Sequence, residues 1–124
     1  MTASKTPTSP LEHRLQAEVR SLNATVAEHG ICPRANPAAW FAAGLTRRRA
    51  RLLCQPCPVR TACLRAAVIE EALVIRTVGG SVHSLHGARG GLTGPARAPL
   101  VKEVLDAIAD DEASRTAEAA RGAA

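Results

Sequence analysis

Large apolar residues along the chain recur at helical spacing, and the polar residues between them carry helix start and stop signals. Leu11, Leu15, Leu22 and Val26 stand at steps of four, seven and four, which places them on one stripe of a helix. Ser9-Pro10-Leu11-Glu12 in front of them supplies a cap, a proline at the first helical position and a glutamate three residues after the cap. Gly30 stands where that helix should stop, so the pattern predicts a helix over roughly 10–29. Asn36-Pro37 opens a short helical turn carrying Trp40 and Phe41. Thr46 caps a further helix through Leu53 that delivers Cys54 at its end, and Pro58 begins the next, through Cys63 to about Leu73. Val74 to Val78 has strand-like content but no partner strand, and reads as loop or frayed helix. Glycines then dominate up to Thr93. Pro99 opens a last helix to about Asp111, with Leu100, Val101, Val104, Leu105 and Ile108 on one face.

These elements define an all-α fold: one small helical domain over residues 9–111, a polar disordered segment over 1–8 and a flexible tail over 112–124. There is no internal repeat. Composition sharpens the picture. The 124 residues are 46% hydrophobic, yet 25 are Ala and 28 are Val, Ile, Leu, Met, Phe or Trp, with one Trp, one Phe and no Tyr. A core so poor in large groups calls for a staple such as a bound metal. No stretch is long and apolar enough to span a membrane, and the N-terminus lacks the apolar run of a secretory signal, so a cytoplasmic protein is expected.

In that compartment thiols stay reduced, and the four cysteines read as ligands or redox groups. Cys32, Cys54, Cys57 and Cys63 follow the pattern C-x21-C-x2-C-x5-C. Two thiolates spaced C-x2-C converge over one turn, which suits zinc and iron–sulfur alike. Structural zinc usually takes two such close pairs, and only one exists here. A 4Fe-4S cubane is wider than a single ion and takes one thiolate per iron, so ligands arriving from separated directions fit it. A zinc-stapled interaction module built from Cys54, Cys57, His83 and His86 is the structural alternative, although the two histidines are closer together than is usual and lie far downstream. Cys54-Gln55-Pro56-Cys57 also has the form of a disulfide-reductase pair whose thiolate nearby arginines would favour. It lacks the βαβ frame of such enzymes, and the chain reads as a non-enzyme.

The order of a first cysteine, then Cys54-x-x-Cys57-Pro58-Val59-Arg60-x-x-Cys63-Leu64, then Gly87-x-x-Gly90-Gly91-Leu92-Thr93, resembles the WhiB-like family of actinobacterial and phage transcription regulators over roughly residues 30–98. The resemblance implies a small helical domain wrapped around one oxygen- and nitric-oxide-sensitive 4Fe-4S cluster held by Cys32, Cys54, Cys57 and Cys63. It further implies a regulator that docks on domain 4 of the principal sigma factor of RNA polymerase. Asn36-Pro37-Ala38-Ala39-Trp40-Phe41 is similar to the family segment whose aromatics shield the cluster and touch sigma.

Two departures qualify the resemblance. The family turn is Gly, Val or Ile, Trp, Gly, Gly, whereas this chain has Gly87-Ala88-Arg89-Gly90-Gly91, with Arg89 in place of an interface tryptophan. That implies a weaker sigma contact. The family's DNA-contacting tail is basic, whereas residues 100–124 hold six acids against three bases. The net charge of +5 is instead concentrated around the cysteines, where Arg47, Arg48, Arg49, Arg51, Arg60 and Arg65 occur with no acid between them. Arg47, Arg48, Arg49 and Arg51 are therefore the candidate contacts to promoter DNA. The alternative is a solvated face of a short helix that offsets the charge of a thiolate-ligated cluster.

Overall fold

The computed structural model describes residues 9–31 and 37–122. The expected disordered segment 1–8, the ligand candidate Cys32 and the Asn36 cap lie outside the described residues. Among the described residues there are four α-helices, α1 (Pro10–His29), α2 (Arg47–Cys54), α3 (Arg60–Thr77) and α4 (Gly94–Gly122), with 3-10 turns at Pro37–Phe41 and Val82–Ser84 and no strand. The all-α expectation holds.

Helix α1 begins as its sequence dictates. The Ser9 hydroxyl accepts the Glu12 N–H at 3.0 Å, and Pro10 occupies the first helical position, where an N–H would have no partner anyway. At the other end the Gly30 N–H closes onto Val26 O at 2.7 Å. Glu12 does more than sit in the first turn. Its carboxylate is buried and takes Arg76 Nε of α3 at 3.2 Å, and Arg76 also pairs with Glu112 of α4, so one guanidinium joins three helices.

Helix α3 is central and packs on both α1 and α4. Leu15, Ile69 and Ile108 meet where the three helices cross, flanked by Leu11, Val19, Leu73 and Val104. Val68, Ala72 and Val101 form a second cluster with Leu64, Ile75, Val82 and Leu85 around it. Ala66, Ala67 and Ala72 are all fully buried, so the abundant alanine is used on α3 to let neighbours approach closely. That is how a chain with few large apolar groups still closes a core.

Four element boundaries correct the sequence reading. Helix α3 starts at Arg60 rather than Pro58 and runs to Thr77 rather than Leu73. The extra turn is held by Arg76, by Ile75 in the core and by the Thr77 hydroxyl donating to Leu73 O at 2.8 Å. Helix α4 starts before Pro99, because the Thr93 hydroxyl accepts the Ala96 N–H at 3.3 Å and begins the helix at Gly94. Pro99 then lies inside the helix. The helix also continues to Gly122, so the expected tail after Asp111 is helical up to that residue. Its alanines favour helix, and the Glu112 to Arg76 pair anchors the stretch just past the expected end.

Candidate functional site

Helix α2 is capped by Thr46, whose hydroxyl accepts the Arg49 N–H at 3.1 Å, and it ends on Cys54 as its sequence predicts. The turn that follows folds back tightly, with the Cys57 N–H donating to Cys54 O at 3.0 Å. Cys63 arrives in the first turn of α3, its N–H closing onto Val59 O at 2.8 Å. These three thiols come from a helix end, a turn and a helix start, and all line one cavity of about 260 Å³. Its walls are Val26 and Ile31 at the end of α1, Trp40 and Phe41 of the first 3-10 turn, Leu53, and Ala88, Arg89 and Gly90. Among the described residues, Arg60 and Arg89 are the charged groups on this lining.

The glycine-rich turn is fixed against both other walls. The Ala88 N–H donates to Trp40 O at 2.8 Å, joining the turn to the aromatic segment. Arg89 and Leu92 exchange backbone hydrogen bonds at 3.0 and 3.1 Å, closing the turn on itself. Gly90 has φ +60° and lies so close to α3 that a Cβ there would fall 2.4 Å from Leu64 Cβ. Gly87 has φ +77° and carries the Phe41 ring on the space a Cβ would take. Phe41 is 59% exposed, with His86 edge-on to its ring at 6.3 Å. Gly91 backs onto the Arg60 and Cys54 side chains.

Burial pushes the Cys63 thiol above its ordinary pKa, while the Gly90 amide and the Arg89 guanidinium pull it down, and Cys54 and Cys57 raise it further. The guanidinium of Arg89 is itself held 3.6 Å from Glu70, whose carboxylate also accepts Asn23 Nδ2 of α1 at 3.2 Å. Arg89 thus faces the thiols from a position set by α1 and α3.

The structure brings Cys54, Cys57, Cys63, Trp40, Phe41, Arg89 and Gly90 to one place, and Gly87 and Gly91 directly behind it. Cys32 lies outside the described residues. His83 and His86 are exposed and absent from the cavity lining, which separates them from Cys54 and Cys57. Among the described residues no three His, Cys, Asp or Glu side chains converge to hold a single metal ion. Arg47, Arg48, Arg49 and Arg51 are exposed on α2 and do not line the cavity; Arg47 and Arg51 border a separate groove with Gly91, Leu92, Thr93 and Pro95.

Sequence reasoning missed Arg97, Glu71 and the cavity role of Arg60. Arg97 is fully buried on α4 behind the glycine-rich turn, bonded to Glu71 and to turn carbonyls. A single arginine between Ala96 and Ala98 gives no local signal of burial. Arg60 stands in the cysteine motif, where its sequence context marks it only as one charge of a basic stretch.

A compact helical domain with a thiol-lined, mostly apolar cavity is the class of protein that these residues define. The family model described as transcription factor WhiB matches residues 27–100, and the chain belongs to that family. The family is one of transcription factors known for four cysteines that bind a cluster, and this chain has four. Neither a search of curated proteins nor one of solved structures found a match. No described helix is long and apolar enough to cross a membrane.

Proposed function

We propose that this chain is a redox- or nitric-oxide-responsive transcription regulator of the cytoplasm that holds one 4Fe-4S cluster through Cys32, Cys54, Cys57 and Cys63. One observation carries the reading. Three thiols from three separate backbone elements line a single apolar cavity, and among the described residues no three ligands meet at a point. That arrangement matches a group presenting one iron to each thiolate. Bound there, the cluster supplies the one-electron and gas-reactive chemistry that such a sensor needs. The protein's own part is to keep water away with Val26, Ile31, Trp40, Phe41 and Leu53, and to offset negative charge with Arg60 and Arg89.

The output surface in this proposal is the same wall seen from outside. Phe41 exposes most of its ring beside Gly87 and His86, and the half-buried Arg89 stands in the same turn, while Gly90 and Gly91 are buried beneath it and hold it against Leu64, Arg60 and Cys54. Large aromatics next to a tight turn are the groups that dominate interface energies. They support docking on domain 4 of the principal sigma factor, within RNA polymerase.

Direct contact with promoter DNA is a second reading, favoured by one observation: Arg47, Arg48, Arg49 and Arg51 are exposed and form no ion pair among the described residues. Free guanidiniums on one short helix are suited to phosphate oxygens.

Anaerobic purification of the full chain tests the cluster. The protein should be brown, absorb broadly near about 400 nm and carry about four irons per chain. Cys32→Ala, Cys54→Ala, Cys57→Ala or Cys63→Ala should each lose the colour, while His83→Ala and His86→Ala should keep it. A colourless protein with stoichiometric zinc overturns the reading in favour of a zinc-stapled module.

A further inference from the structure

Among the described residues, Arg97 is the largest fully buried side chain. A guanidinium has five N–H donors, and burying it is costly unless they are satisfied. Here all are. Nε and Nη2 each donate at 2.8 Å to the two carboxylate oxygens of Glu71 on α3. Nη1 donates to Gly87 O at 2.8 Å and Leu92 O at 2.9 Å, and Nη2 donates also to His86 O at 2.9 Å. The three carbonyls belong to the two ends of the turn that walls the cysteine cavity. Glu71 fixes the plane of the fork, and the fork fixes the turn.

We propose that Arg97, held by Glu71, is a positioning residue for the cysteine cavity: a helix that contributes no cysteine sets where Ala88, Arg89 and Gly90 stand, and through Ala88 where Trp40 stands. The link to Trp40 is the Ala88 N–H to Trp40 O bond at 2.8 Å. Lysine cannot replace this arrangement, because its three donors radiate from one point and cannot span a carboxylate and three carbonyls at once. The inference rests on the cluster reading only for what the cavity holds. The placement of its wall is a property of the protein alone.

The test compares Arg97→Lys and Glu71→Gln with Ile108→Ala in full-length, anaerobically purified protein, well below every melting temperature. Ile108 packs with Leu15 and Ile69, so its truncation weakens the core without touching the turn. Two readings are taken: the rate at which a chelator strips iron, and the acrylamide quenching of Trp40, the one tryptophan of the chain. Arg97→Lys and Glu71→Gln should speed iron loss roughly tenfold or more, the scale for residues that orient ligands from behind. They should also raise Trp40 quenching toward that of free tryptophan. Ile108→Ala should change neither, even where it lowers the melting temperature as far. The proposal is overturned if Ile108→Ala moves both readings as much, or if both clamp variants leave Trp40 as protected as before. Should Arg97→Lys fail to fold, Glu71→Gln decides alone, since it keeps the side chain's shape and one acceptor oxygen. If the unaltered protein carries no iron yet the clamp variants still expose Trp40, the positioning role stands and the cluster reading falls.

Discussion

Replacing Gly90 with alanine should damage the site far more than the same change at Gly80. Both glycines have positive φ, +60° at Gly90 and +113° at Gly80, so both substitutions strain the backbone. That strain costs about 1–2 kcal/mol at a left-handed position. Their surroundings differ. A Cβ on Gly80 meets nothing within 4 Å, whereas one on Gly90 would lie 2.4 Å from Leu64 Cβ, 2.5 Å from its Cα and 2.6 Å from its N. Those atoms belong to the backbone and stem of α3 and cannot swing aside. The turn must therefore back away from α3, adding an overpacking cost of about 1–3 kcal/mol and withdrawing the Gly90 amide from Cys63. Gly90→Ala should then lose about 2–5 kcal/mol against about 1–2 for Gly80→Ala. Denaturant midpoints with unchanged slope read the difference, and iron content per chain reads the effect on the cavity. Equal midpoints and equal iron for the two variants would refute the close packing of the turn on Leu64.

Two further outcomes are expected. Arg89→Trp, which restores an interface aromatic beside Phe41 and releases Glu70, should tighten binding to sigma domain 4 by about 2 kcal/mol, roughly thirtyfold, in calorimetry of the purified domains. If neither protein binds sigma while salt-sensitive DNA binding vanishes on changing Arg47, Arg48, Arg49 and Arg51 to Ala, the protein acts on DNA directly. The hydrogen bonds from Arg65 to Glu18, at 2.8 and 3.2 Å, hold the Glu18 carboxyl below its ordinary pKa. A depressed carboxyl stabilises above its unfolded pKa and loses that contribution as pH falls through the folded value. Glu18→Gln should therefore cost up to about 1 kcal/mol at neutral pH, the pair being exposed, and nothing once acid has protonated Glu18 in the folded protein. Denaturant midpoints at the two pH values check it.

What the sequence determined by itself is what local chemistry decides. Ser9, Pro10 and Thr46 begin helices because a hydroxyl or a ring satisfies the first turn wherever the rest of the chain goes. The spacing of Leu11 and Leu15 selects a buried face in the same way. Cys54, Cys57 and Cys63 were legible as one site because a C-x2-C pair closes over a single turn and Cys63 follows in the first turn of the next helix. Helix ends were less legible wherever distant partners hold them. Arg76 extends α3 and helps α4 outlast Asp111 only because α1, α3 and α4 meet at one guanidinium. The tertiary structure alone decided that Arg60 and Arg89 share a cavity with Cys54, Cys57 and Cys63, while Arg47 and Arg51 face elsewhere. It alone placed Arg97, which no periodicity marks. A buried charge is tolerable only when its partners are assembled, and the partners of Arg97 come from Glu71, His86, Gly87 and Leu92, brought together by the fold.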